Sequence, residues 1–245
     1  MKEFFADFLD KSSHSKLSAP PQQQGQPQPP LELPWPEGAE MIELPRPEKL
    51  AIPSADLRKM VEQRRSLRHY DLSAALTLEE LSYLLWMTQG VKRVTARPAT
   101  LRTVPSAGAR HAFETILLVN RVTGLEPGLY RFIATQHALL RLDAPHNIDV
   151  LLTTACNSQE HVLQSAVTFI WMAVMERMSY RYVERSLRYL FLDAGHVCQN
   201  LYLAAESIGC GMCALAAYDD GQVNSLIGAD GVDHFAIYLA TVGKK

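Results

Sequence analysis

The chain has 245 residues, 47% of them hydrophobic, enough to bury one sizeable core in one large domain. A net charge of −2 offers no global basic field for nucleic acid, and no apolar run is long enough to span a bilayer. Acids within Met1–Asp7 argue against an export signal, and Cys156, Cys198, Cys210 and Cys213 are too few for a disulfide framework, so a reducing cytoplasm is expected.

Residues 18–37 are rich in Pro and Gln. Each proline fixes φ and removes a backbone donor, so this stretch cannot propagate a helix or join a central strand. It reads as an extended arm or linker within an N-terminal segment 1–40, either a disordered tail or an arm that wraps a partner subunit. The domain proper is expected over 41–245.

Past Pro53, Ser54 is placed to cap a helix through Asp56, Leu57, Met60 and Val61 that ends near Arg65. Thr77-Leu78-Glu79-Glu80 fits a capping box, Leu78, Leu81, Leu84 and Leu85 follow at helical spacing, and Gly90 is a stop. Strands are expected over 114–120, 129–133 and 138–142, with a turn at Gly124–Gly128 between the first two. Helices follow over 147–154 and 159–164. The apolar run 167–174 is short enough for a buried strand. Leu187, Leu190, Val197, Leu201 and Ala204 predict a helix over 184–208 ending at Gly209, and 235–242 reads as the last strand. Long helices and separated strands give an α+β domain.

Four stretches carry chemistry. Arg64, Arg65, Ser66 and Arg68 offer three cations and a hydroxyl in a short arc, which suits a phosphate monoester and equally a solvated charged face. In Pro105-Ser106-Ala107-Gly108, small residues would let backbone approach a flat ring, or form an ordinary loop. His196 and Asn200 share a helix face but find no third ligand of suitable spacing for a metal, and with Asp193 they read as polar groups that tie helix to sheet. Cys210 and Cys213 form a single Cys-x-x-Cys, half of a closed zinc site, and read as small buried apolar groups.

The order of Arg64-Arg65-Ser66-Leu67-Arg68, then Pro105-Ser106-Ala107-Gly108, then Leu192-Asp193-Ala194-Gly195-His196 resembles the nitroreductase family over about residues 40–244. The nearest branch is the SagB-type, azoline-dehydrogenase-like group that accompanies peptide-modifying gene clusters. That resemblance implies a nitroreductase-like fold, with a central, mainly antiparallel sheet flanked by helices in an intertwined homodimer. It implies FMN at the subunit interface, held through Arg64, Arg65, Ser66 and Arg68. The loop Pro105, Ser106, Ala107 and Gly108 would come from the second subunit. Leu215, Ala216 and Ala217 would pass along the flavin face near N5, Lys244 of Val242-Gly243-Lys244 would pair with the phosphate, and Gln159 would reach the flavin carbonyls. Ala112 stands where the family often has Pro, and Ala216-Ala217 where many members have Glu-Gly.

Arg181-Tyr182 occupies the place of the Lys-Tyr pair of the azoline-oxidising branch. An arginine effectively cannot lose its proton, so Arg181 suits an anionic substrate better than general-base work, while Tyr182 can donate a proton. The expected function is hydride transfer through flavin N5 between a reduced donor, NAD(P)H, and a small organic or peptide-derived substrate. The alternatives are azoline oxidation in a peptide-modifying cluster, or a redox-inactive binding subunit on a flavin fold. Neither nucleic acid nor membrane is an expected partner, no metal is expected, and no Gly-x-Gly-x-x-Gly turn indicates a separate dinucleotide domain.

Overall fold

The computed structural model describes residues 1–245. Its centre is a seven-stranded sheet built from β1 (Met41–Glu43), β4 (Phe113–Val119), β5 (Gly128–Ile133), β6 (Ala138–Arg141), β7 (Val167–Val174), β8 (Cys210–Leu215) and β9 (His234–Lys244). The strand order is β1-β6-β5-β4-β7-β9-β8, and every neighbouring pair is antiparallel. A separate hairpin pairs β2 (Val91–Val94) with β3 (Thr100–Arg102).

The central strands are buried on both faces, and their side chains divide with the period of the pleat. Along β7, Phe169, Trp171 and Ala173 join one core while Ile170 and Met172 join the other. The larger core lies under α3 (Leu78–Gln89) and α7 (Ser186–Ser207); the smaller lies under α4 (Ile148–Ala155) and α8 (Asp220–Leu226).

The capping box at Thr77 and Glu80 is present, with both reciprocal hydrogen bonds made. Gly90 does end α3, but at φ −56 it needs no left-handed freedom. A Cβ there would meet the Trp86 ring at 2.3 Å, so the glycine makes room for that indole. The first helix of the domain starts later than expected. Asp56, not Ser54, caps α2 (Leu57–Gln63) by accepting from Lys59 N at 3.2 Å. The long helix expected over 184–208 stands unbroken as α7, and a separate, unexpected helix precedes it. α6 (Met175–Tyr182) ends at Val183, whose φ of 39 breaks the chain direction before α7 begins.

Besides β1, β2, β3, α6 and α8, two further elements lie outside the sequence expectation. β8 is the edge of the sheet, and its Cys-Gly-Met-Cys-Ala-Leu composition has no β-branched residue. It is a strand because β9 holds it in register from Cys210↔Lys244 to Leu215↔Leu239. The other is α1 (Lys2–Lys11), which leaves Phe4, Phe5 and Leu9 exposed.

The Pro/Gln-rich stretch runs as an extended strap over its own chain. Gln22 N donates to Tyr180 O at 3.0 Å, Tyr180 Oη to Gln26 O at 3.1 Å, and Arg177 Nε to Pro30 O at 2.9 Å. Beyond Pro30 the strap reaches the sheet. Leu33 N donates to the Glu114 carboxylate at 2.8 Å, and Arg131 Nη2 donates to the carbonyls of Leu33 and Pro34.

Candidate functional site

The segment after α2 lies against the sheet edge rather than turning into solvent. Leu67 N donates to Met212 O at 2.8 Å, and Tyr70 Oη bonds Thr241 Oγ1 at 2.7 Å. Two strand glycines permit this approach. A Cβ on Gly211 would stand 2.2 Å from Leu67, and one on Gly243 would stand 2.6 Å from the Tyr70 ring. The close packing fixes the residues between. Arg64 stacks over the Tyr202 ring at 5.0 Å, and Ser66 Oγ bonds Tyr202 Oη at 2.8 Å. Arg65 and Arg68 are exposed. No carboxylate lies within 4.0 Å of Arg64, Arg65 or Arg68.

Across this strip, the exit of β8 carries buried Leu215 followed by exposed Ala216 and Ala217. Gln159 Nε2 donates to Ala217 O at 2.8 Å and to Cys156 O at 2.8 Å, which pins the exit to the residues before α5 (His161–Gln164). Burial first, and then the positive charges of Arg68 and His69, hold the His161 imidazole below its ordinary range, so Arg68 and His69 face this same side. Lys244 is engaged by the Glu80 carboxylate on α3. Thus Arg64, Arg65, Ser66, Arg68, Gln159, Leu215, Ala216, Ala217 and Lys244 gather around the β8 edge. Tyr202 and His161 belong with them, and helical periodicity alone could not single out either.

The remaining residues form a second group. Ser106 Oγ donates to Asp193 Oδ2 at 2.6 Å, Ala107 N donates to Asp193 Oδ1 at 3.2 Å, and His111 N donates to Ser106 Oγ at 2.9 Å. Burial pushes the Asp193 carboxyl up, and these donors pull it back. Asp193 and Asn200 therefore tie α7 to the 105–108 loop and to Met87 of α3, not to the sheet, while His196 is half-exposed. Gly108 has φ +55, and a Cβ there would meet Tyr182 Oη at 2.7 Å and Arg181 Cδ at 3.0 Å. The loop Pro105, Ser106, Ala107 and Gly108 and the pair Arg181-Tyr182 thus come together. Burial raises the Tyr182 phenol, so it stays protonated and able to donate.

The two groups sit at different stations on α7, marked by Asp193 and Tyr202. Nine residues separate them, about 14 Å along a helix axis.

Two small exposed residues beside three cations and a hydroxyl can accept a flat ring and a phosphate monoester. No group of three metal-ligating side chains converges anywhere in the fold. Cys210 and Cys213 lie at odd spacing on one strand, so their side chains point to opposite faces, and both are buried and free. Burial pushes the Cys210 thiol up to about 11.

The nitroreductase family model matches residues 61–244. A nitroreductase homologue of Methanocaldococcus jannaschii is 32% identical over 189 residues, 77% of this chain and 91% of its own. The trifolitoxin-processing protein TfxB of Rhizobium leguminosarum bv. trifolii is 30% identical over 65% of this chain and 44% of its own. The crystal structure of a nitroreductase homologue from Anabaena variabilis is 29% identical with a TM-score of 0.65, over 77% of this chain; the chain spans only 38% of that protein's length. Two more distant structures share the fold. The E. coli microcin synthetase McbBCD complex with truncated pro-MccB17 has a TM-score of 0.62 at 17% identity, over 99% of this chain and 92% of the other. A nitroreductase homologue from Exiguobacterium sibiricum in complex with FMN has a TM-score of 0.55 at 14% identity, over 78% of this chain and 89% of the other.

Proposed function

The chain belongs to the nitroreductase family, and from that premise we propose that it is an FMN-dependent oxidoreductase that works as a homodimer. The observation that carries this reading is the uncompensated Arg64-Arg65-Ser66-Arg68 strip, fixed against β8 beside the bare Ala216-Ala217 edge. A related fold with FMN bound supports the choice of cofactor.

Bound FMN would supply a hydride acceptor and donor at N5. In this reading Arg64, Arg65 and Arg68 hold the phosphate and lend positive potential, and Ser66 donates to it while Tyr202 keeps its hydroxyl in place. Gln159 directs both amide hydrogens to Cys156 O and Ala217 O, so it would brace the β8 exit rather than donate to the flavin carbonyls as the family resemblance implies. The edge at Ala216-Ala217 has no acid, so no carboxylate there would oppose negative charge on a reduced flavin. Lys244 acts through its pairing with Glu80, which leaves it a weaker phosphate ligand than the free arginines.

The second group supplies the substrate side. In this reading the 105–108 loop would come from the partner subunit, together with the Tyr182 and Arg181 that pack against it. Tyr182 donates a proton, and Arg181 orients an anionic group. NAD(P)H is the proposed donor, and a small organic or peptide-derived molecule the substrate. A second reading, azoline oxidation or peptide binding within a modifying complex, is favoured by the likeness to a trifolitoxin-processing protein and a microcin synthetase complex. Arg181 in the place of a lysine weighs against its redox form.

The visible absorption spectrum of purified protein, before and after FMN addition and desalting, tests the proposal. Retained flavin bands that Arg64→Ala and Ser66→Ala abolish are the expected result. A colourless protein that rejects FMN overturns it and favours the binding-subunit reading.

A further inference from the structure

Two arginines, Arg110 and Arg181, flank Gly108 of the 105–108 loop, and neither makes an ion pair. Arg110 is only 7% exposed, and its Nε donates to Gly108 O at 3.3 Å. Arg181 crosses the other side of the same glycine, its Nε 3.2 Å from the position a Cβ would take. The two guanidiniums therefore share one small region. Each lies over an aromatic ring, Arg110 over Tyr180 at 5.7 Å and Arg181 over Tyr182 at 5.7 Å. Burial first, and then the charges of Arg97 and Arg181, hold the Arg110 guanidinium below its ordinary range.

The acids near this cluster are already engaged. Glu184 accepts from Ser18, Asp193 from Ser106 and Ala107, and Glu114 from Arg177. None of Arg97, Arg110 and Arg181 has a carboxylate within 4.0 Å. Arg110 is largely buried and makes no ion pair, so an anion that reached it would gain a charge-assisted contact in a place of reduced hydration. A cleft of about 580 Å³ is lined by Arg181, Tyr182 and Val183 and by His14, Ser18, Gln22 and Gln23 of the N-terminal segment; Arg110 lies outside its lining. That volume takes a small organic molecule.

We propose that Arg110 and Arg181 form an anion-recognition site beside Tyr182, which selects a ligand carrying a carboxylate or a phosphate. Which ligand owns the anion rests on the reading of Tyr182 as the substrate side; the site itself does not. A carboxylate would belong to the substrate, a phosphate to the nicotinamide donor. In both cases a bidentate guanidinium contact beside the loop would orient the ligand toward the phenol.

Isothermal titration of the purified protein with benzoate, benzamide and inorganic phosphate tests this, with flavin content read from the visible spectrum of the same samples. Benzoate or phosphate is expected to bind at least about tenfold tighter than benzamide, and more weakly as salt is added. Arg110→Gln should weaken the anion about tenfold or more while the flavin bands and the circular dichroism melt stay unchanged, and Arg110→Lys should restore part of the loss. If Arg110→Gln does not fold, Arg181→Gln carries the same expectation. Benzoate selectivity assigns the site to a carboxylate substrate, and phosphate selectivity assigns it to the donor. No anion preference over benzamide, or affinity indifferent to both variants, overturns the proposal. Loss of flavin with anion binding retained would strike the flavin reading alone.

Discussion

At Gly108, a positive φ and two close neighbours fall on one residue. Its φ of +55 disfavours any side chain, and a Cβ would stand 2.7 Å from Tyr182 Oη and 3.0 Å from Arg181 Cδ. Gly108→Ala should cost about 1–2 kcal/mol through the backbone alone, and it should also displace the phenol and guanidinium. Thermal melts would read the first effect, and substrate KM and kcat the second. An alanine variant with unchanged melt and kinetics would mean that the loop relaxes freely and does not position the pair. The residue types at this place were legible in the sequence, as was the likeness of Arg181-Tyr182 to a Lys-Tyr pair. Their contact was not, because 73 residues separate Gly108 from Arg181. Arg110 escaped notice for the same reason. A single arginine in a loop has no signature until its lack of a counter-charge can be seen.

Two elements owe their position to something outside themselves. The first is the segment 64–70, held to the sheet edge by the absence of side chains at Gly211 and Gly243. Gly211→Ala would overpack Leu67 at a cost of about 1–3 kcal/mol. The variant should lose flavin affinity with Arg64, Ser66 and Arg68 all intact, checked by FMN titration. Equal affinity to the parent would refute the idea that this packing aims the strip.

The second element is the strap. Its Glu32 carboxyl is buried beside Glu114, which raises it to about 7, against the opposing pull of Arg102, the Thr135 N–H and Arg177. A carboxyl whose folded value lies above its unfolded one contributes its stability in full below the unfolded value near 4.5, and loses it as pH rises through about 7. The other charged groups facing this cluster, Arg102, Glu114 and Arg177, come from β3, β4 and α6. His111, held down to about 3 by burial and by Arg102 and Arg110, stays neutral throughout. Proteolysis of the strap, normalised to an unstructured peptide, should therefore quicken between about pH 5 and pH 8. Glu32→Gln should flatten that dependence. A parent rate independent of pH would show that Glu32 does not titrate in the docked strap.

At the scale of the molecule, the residues divide into two stations about 14 Å apart along α7. In the proposed dimer, each flavin site would take one station from each chain. If the proposed dimer is correct, damage in opposite stations should complement. Co-expression of an Arg64→Ala, Ser66→Ala chain with a Gly108→Ala chain would produce mixed dimers with one intact and one doubly damaged site. Such mixtures should recover measurable turnover that neither parent variant has alone. No recovery, with mixed dimers demonstrated by mass, would place each site within one chain. Exposed Phe191 and Leu192 on α7 lie where a partner could cover them.

The sequence by itself determined the elements whose signal is local. The capping box at Thr77, the apolar run of β7, and the hairpin strands β4 and β5 follow from hydrogen-bond chemistry and side-chain period within a few residues. It also determined the family, through short motifs whose order along the chain survives without knowledge of their contacts. Only the tertiary structure decided the rest. β8 is a strand because β9 pairs with it, α6 separates from α7 at Val183, and the strap lies on its own chain because Glu32, Glu114, Arg102 and Arg177 gather there. Each of these depends on partners distant in sequence, and no local propensity records the free energy of a contact that does not yet exist.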